Sequence, residues 1–109
     1  MKKIDKEILE WHKKTFPDAK IEKQLMKLEE EYTELCKSFG RDIMEAADVY
    51  IVASVLKYRF NSKVGGCFLG LIDESWKYME IMKAVKEKME INKKRKWTFK
   101  KGVYRHKEQ

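Results

Sequence analysis

Four carboxylates carry the strongest chemical signal in the chain. Within Ile43–Leu56, IMEAADVYIVASVL, only Glu45 and Asp48 are charged. As a helix this run points Ile43, Tyr50, Ile51, Val52, Val55 and Leu56 in every direction, and a helix that is apolar all round belongs in the interior. A carboxylate there needs a positive partner or gives up its charge. Residues three apart share a helix face, so Glu45 and Asp48 project together. A second pair at the same spacing, Glu31 and Glu34, precedes them on KLEEEYTEL. Four carboxylates from two helices form a hard, all-oxygen donor set that suits Mg²⁺, with Mn²⁺ as a substitute. Two plainer readings stand beside this: a solvated acidic surface for KLEEEYTEL, and a buried salt bridge from Glu45 and Asp48 to Lys27 or Arg59.

A basic set lies further along. Lys88, Asn92 and Arg95 are spaced four and three, on one helix face, with Lys93, Lys94 and Lys96 close by. Arg offers a bidentate fork, Lys a point charge and Asn a hydrogen bond, together a clamp for phosphate. A basic last turn that complements the helix dipole is the simpler alternative. On the second helix, Gln24, Lys27, Glu31, Glu34 and Ser38 share a polar stripe, which adds Lys27 to the phosphate-binding candidates. Trp11, His12, Phe16, Trp76 and Trp97 are candidates for stacking on a base, with packing as the ordinary role for each. His12 reads as an exposed histidine near a helix end.

The elements that position these residues are helical. Ile4 to about Lys14 forms a first helix that Pro17 ends, and Asp18 is a candidate cap for the second. Leu25, Leu28, Tyr32, Leu35 and Phe39 step by three and four, a core stripe that carries the second helix to about Phe39, where Gly40 stops it. Asp42 caps a third helix that reaches about Phe60, and 61–66 is the main loop. A long fourth helix covers roughly Phe68–Arg95, with a break allowed near Gly70; Met79, Met82, Val85 and Met89 read as core. WTFKKGVYRH, Trp97–His106, reads as two short extended pieces around Lys101-Gly102, or as an arm. The expected fold is all-α: a single domain over 1–109, a four-helix antiparallel bundle with a short basic C-terminal arm over 96–109.

Composition narrows the classes. At 109 residues, 43% hydrophobic and 39% charged with one proline, the chain is globular and of helical type. It is small enough that association would help bury its apolar surface. The net charge is +7, and residues 86–109 hold 10 Lys/Arg against 3 Glu while residues 1–85 hold 15 basic and 15 acidic. The excess is thus a local attraction for anions. No run has transmembrane character, and MKKIDKEILEW lacks the apolar core of a signal peptide. Cys36 and Cys67 stand alone with two His, so zinc spacing is absent. A reducing cytoplasm is the expected home.

KLEEEYTEL followed by MEAADVYIVASVL resembles the MazG-like branch of the all-α nucleoside triphosphate pyrophosphohydrolases, whose signature is E-x-x-E, a spacer, then E-x-x-D. Here these are Glu31-Tyr-Thr-Glu34 and Glu45-Ala-Ala-Asp48, with Glu30 completing a doubled glutamate. Phe16–Ala19 (FPDA) and Lys88–Trp97 (KMEINKKRKW) extend the similarity to about Trp11–His106. The spacer, Leu35 to Met44, is ten residues, shorter than is usual in the family, so the turn at Gly40–Asp42 must be tight. The resemblance implies cleavage between the α- and β-phosphates of nucleoside triphosphates, Mg²⁺ held by Glu31, Glu34, Glu45 and Asp48, and a dimer or tetramer. Glu30 or Glu34 would then orient or deprotonate the attacking water, and Lys27, Lys88, Asn92 and Arg95 would hold phosphates. His12, Trp11 and Trp97 are the base-binding candidates on residue type, not on the resemblance. The rival reading is a small basic helical module that binds nucleic acid through residues 93–107, where Trp97, Phe99 and Tyr104 alternate with Lys and Arg.

Overall fold

The computed structural model describes residues 1–95, 97–100 and 103–106. Five helices, α1 (Lys3–Thr15), α2 (Ile21–Lys37), α3 (Ile43–Tyr58), α4 (Lys63–Ser75) and α5 (Tyr78–Lys94), precede two short strands, β1 (Trp97–Lys100) and β2 (Val103–His106). The strands pair antiparallel with Trp97 opposite His106 and Lys100 opposite Val103. The two extended pieces expected after residue 96 are therefore present. Lys96, Lys101, Gly102 and 107–109 of the expected basic arm lie outside the described residues.

The α3 helix is the hub. Residues Ala46, Ala47 and the unbroken run Val49–Leu56 are buried, and α1, α2, α4 and α5 all pack against it. Its start is fixed by Asp42, whose Oδ1 accepts from the Met44 and Glu45 amides at 2.9 and 3.4 Å, the cap expected from sequence. The turn before it is as tight as the ten-residue spacer requires. Phe39 and Gly40 both take left-handed conformations, φ 56° and 71°, and the Ser38 hydroxyl receives the Asp42 amide at 3.1 Å. From the opposite side, α1 is tied to α3 by a buried polar triad. Asp5 accepts from the Tyr50 hydroxyl at 2.8 Å and the Ser54 hydroxyl at 3.1 Å, so its charge is satisfied inside the core. Burial, then this carboxylate, raises the Tyr50 phenol well above its ordinary pKa.

Several sequence expectations need correction. The long fourth helix is two helices. Trp76 and Lys77 are extended between them, and the partly buried Trp76 packs on the core, while Gly70 lies inside α4 with open space where a Cβ would go. Gly65 and Gly66 belong to the first turns of α4, not to a loop. Asp18 is not a cap: α2 begins after Lys20, which makes no side-chain cap bond. On α2 only Leu28 and Leu35 of the proposed stripe are buried; Leu25, Tyr32 and Phe39 are exposed, Phe39 to 87%. The physical reason is that α2 packs on α3 alone among the helices with appreciable contact, so one line of side chains suffices. Met79, on the first turn of α5, is also exposed rather than core, whereas Val85 and Met89 are fully buried.

Gly65 marks where α4 crosses α3 most closely. A Cβ there would stand 2.5 Å from the Lys57 nitrogen and 2.6 Å from the Ala53 oxygen. Gly65→Ala is expected to destabilise by about 2 kcal/mol, the cost of overpacking against backbone that has little room to yield. Gly70→Ala, which meets nothing, should instead stabilise by about 0.5–1 kcal/mol through helix propensity. Paired urea melts of the two variants check both signs.

Candidate functional site

Glu31 projects from the middle of α2, and Glu45 and Asp48 from the first two turns of α3. Their carboxylate oxygens lie within 4.8 Å of one another. Two lysines flank them: Lys88 of α5 reaches Asp48 at 3.2 Å, and Lys27, one turn before Glu31, reaches it at 3.6 Å. The salt-bridge alternative is thus partly realised, with Lys88 rather than Arg59 as the partner of Asp48. The lysines do not balance the site. Burial, then the Asp48 charge, raises Glu31; burial, then Asp48, raises Glu45; and burial raises Asp48 in spite of Lys88. All three carboxyls hold protons more tightly than in water, because burial disfavours their charged forms by more than the neighbouring cations favour them.

The donors fit a hard divalent cation. All are oxygens, none is sulfur or imidazole, and oxygens on opposite sides of one ion at bonds of about 2.1–2.4 Å stand about 4.2–4.8 Å apart. Glu34, expected as the fourth ligand, is half-exposed and pairs with Lys37 at 3.0 Å, outside the close trio, although its charge is felt at Glu45. Glu30 lies 4.0 Å from Lys27 on the outer side of α2.

The trio forms one part of the wall of a cavity of about 290 Å³, near the low end for small-molecule pockets. The wall continues along α5 through Lys88, Asn92 and Arg95, the basic set expected to share a face. Asn92 is nearly buried, and its Oδ1 accepts from Arg95 Nη1 at 3.4 Å. Trp11, His12, Phe16 and Trp97 also line it, packed as one aromatic group. Phe16 stands edge-on to Trp97 and Trp11 with centroids 5.0 and 5.4 Å apart, and 4.9 Å from His12. The Trp97 indole N–H donates to the Asn92 carbonyl at 3.2 Å, which holds the start of β1 against the end of α5. Along α3, the eleven residues from Asp48 to Arg59 span roughly 16 Å, and Arg59 holds His12, so acidic and aromatic groups occupy opposite ends. Trp76 lies elsewhere, at the break between α4 and α5.

His12 departs from its reading as an exposed histidine. It is 4% exposed, and its Nδ1 lies 2.7 Å from Arg59 Nη1. The same guanidinium donates to the carbonyls of His12, Phe16 and Pro17 at 3.3, 2.9 and 3.2 Å, closing the end of α1 and fastening the turn after it to the end of α3. Burial, then Arg59, lowers the His12 pKa to about 3. Lys20, just before α2, and Lys23 and Gln24 of α2 also line the cavity. Lys20 and Lys23 were not among the sequence candidates, and only their i, i+3 and i, i+4 spacing ahead of Gln24 and Lys27 pointed to that face.

Because His12 is neutral when folded and titrates near 6.5 when unfolded, the unfolded chain binds the extra proton between about pH 6.5 and 3, and its contribution to stability is lost as pH falls through that window. Between pH 7 and pH 5 the loss amounts to about 2 kcal/mol. His12→Gln should lose correspondingly less over the same interval, read as the difference between the two proteins' urea-melt free energies at each pH. Compared with protein-family models, curated proteins and solved structures, the chain matches none of them.

Proposed function

We propose that the chain is a divalent-cation-dependent nucleoside triphosphate pyrophosphohydrolase, splitting the bond between the α- and β-phosphates to give a nucleoside monophosphate and pyrophosphate. One observation carries this reading. Three clustered carboxylates lie in the same cavity as a lysine–asparagine–arginine face and an aromatic group. A metal–polyphosphate joined to a flat base needs those three chemistries in that order, and the resemblance to the MazG-like family supplies the reaction.

Glu31, Glu45 and Asp48 would hold Mg²⁺, or Mn²⁺ in its place. That ion supplies charge neutralisation on the phosphate oxygens and a lowered pKa for water. The residues of the chain do the rest. Lys88 pairs with Asp48 at the cavity wall and exchanges a carboxylate partner for phosphate when substrate enters. Arg95 and Asn92 hold phosphate oxygens and stabilise charge on the departing group. Glu34, whose charge is felt at Glu45, would receive the proton of the water whose oxygen bonds to phosphorus as the bridging oxygen leaves; Glu30, on the outer side of α2 and absent from the cavity wall, is not placed for that role. Lys27 keeps Glu31 in place.

The same proposal includes a dimer or tetramer of helical bundles. Leu25, Tyr32 and Phe39 at α2 and Val64 and Leu71 on α4 are exposed apolar residues. Tyr32 meets Phe68 edge-on at 5.2 Å, which joins exposed apolar side chains of the two helices, the kind of surface that association covers. A second copy of the chain is the cover that closed symmetry provides. No helix among the described residues is long and apolar enough to cross a membrane.

With Mg²⁺ and a panel of ribo- and deoxyribonucleoside triphosphates, the wild type should release pyrophosphate, and Glu45→Gln or Asp48→Asn should reduce release to background while the far-ultraviolet helical signal persists. Turnover like the wild type in either variant would contradict the metal assignment. Orthophosphate as the product would contradict the cleavage site. Tight oligonucleotide binding with a steep salt slope and no turnover would favour the nucleic-acid module instead.

A further inference from the structure

The turn after α1 does more than close a helix. A guanidinium has only N–H groups and accepts no hydrogen bond, so at the 2.7 Å contact between Arg59 Nη1 and His12 Nδ1 the imidazole nitrogen must be the acceptor. A neutral imidazole carries one hydrogen, and with Nδ1 bare that hydrogen is on Nε2. The tautomer of His12 is therefore set by Arg59, and the ring itself is packed against Phe16 and Trp11. Among the described residues Nε2 has no hydrogen-bond partner, and no side-chain nitrogen or oxygen there is both sealed from solvent and unpaired. Nε2–H is thus open, and the space that His12 lines is the cavity.

The other polar side chains toward this end are also donors. Lys20, Lys23 and Arg95 carry only N–H groups, while Gln24 and Asn92 offer both a donor and an acceptor, and the Asn92 Oδ1 is already engaged by Arg95. The carboxylates belong to the other end: Gln24 and Glu31 are seven residues apart on α2, roughly 10 Å. A base placed against Trp11, Phe16 and Trp97 meets a donor-rich edge. There a carbonyl oxygen is satisfied, whereas an amino group in the same place brings two donors face to face and loses its bonds to water.

We propose that His12, oriented by Arg59, is a specificity-determining residue: its Nε2–H selects bases with a carbonyl at the exocyclic position where adenine and cytosine carry NH₂. Hypoxanthine, guanine, uracil and thymine nucleotides are the favoured class. The inference rests on the nucleotide reading of the cavity but not on hydrolysis, and it is tested apart from it. Arg59 is a positioning residue in this scheme, because it touches the histidine and not the ligand.

The experiment follows the fluorescence of Trp11 and Trp97 as inosine, guanosine, adenosine, uridine and cytidine monophosphates are titrated in the presence of a chelator, with the full chain. Inosine over adenosine and uridine over cytidine should each differ by about tenfold or more, the scale expected when a site built around a hydrogen bond meets an analogue that cannot make it. His12→Phe, which keeps an aromatic ring but has no N–H, should bring each pair within about twofold, chiefly by weakening inosine and uridine monophosphate. Arg59→Met, which frees the tautomer, should narrow the same ratios, and its melt shows how much of any effect is unfolding. Equal affinities, an amino-base preference, or no binding of any of the five overturns the assignment. Pyrophosphate release from the corresponding triphosphates, run in parallel, separates the two readings. Release without base preference sinks only this inference, and selective binding without release sinks only the hydrolase.

Discussion

Like charges held close together at the wall of a helix that has no freedom to move are the constraint on which the rest of this molecule turns. Two unit charges about 4.8 Å apart at an effective dielectric near 20 repel by about 3.5 kcal/mol. Glu31, Glu45 and Asp48 form three such pairs, against two lysine contacts at 3.2 and 3.6 Å. The α3 backbone cannot relax the strain by turning, because side chains all round its circumference are buried. Burial first, and at Glu31 and Glu45 the Asp48 charge second, leaves carboxyls that hold their protons too well. In that state the site favours whatever brings positive charge.

The same rigidity organises the far end of the cavity. The Arg59 guanidinium, on the residue that closes α3, gathers the carbonyls at the end of α1 and fixes the His12 ring. That contact brings Phe16 and Trp11 alongside Trp97, which β1 carries back over α5. One helix therefore sets both the acidic and the aromatic groups, roughly 16 Å apart by its own rise. Such a separation is a property of α3 and not of the loops, so it is held with the precision of a packed core.

Much of this was legible in the residues, because the informative positions break a local rule. Glu45 and Asp48 stand out in an apolar run, and Asp42 and Gly40 have the chemistry of a cap and a stop at the right places. Lys88, Asn92 and Arg95 share a face by spacing alone, and they do line one cavity with the acidic trio. What was not legible depends on contacts between segments distant in sequence. The break at Trp76–Lys77 contains neither Gly nor Pro and arises where Trp76 packs on the core. Gly65 looks like a loop residue until the close approach of α3 supplies a reason for a glycine within a helix. His12 is 47 residues from Arg59, and nothing near it in the chain marks it as buried. Leu25, Tyr32 and Phe39 have the period of a core stripe, and periodicity cannot say whether another helix of the chain covers it.

The most direct test of the carboxylate site is Mn²⁺ titration at neutral pH, monitored by electron paramagnetic resonance of the free ion. The account predicts a saturable class of bound Mn²⁺ in the wild type that Mg²⁺ displaces and that is lost in Glu45→Gln, a variant that breaks neither lysine contact. Mn²⁺ that remains free, or that binds the variant as well as the wild type, would contradict it.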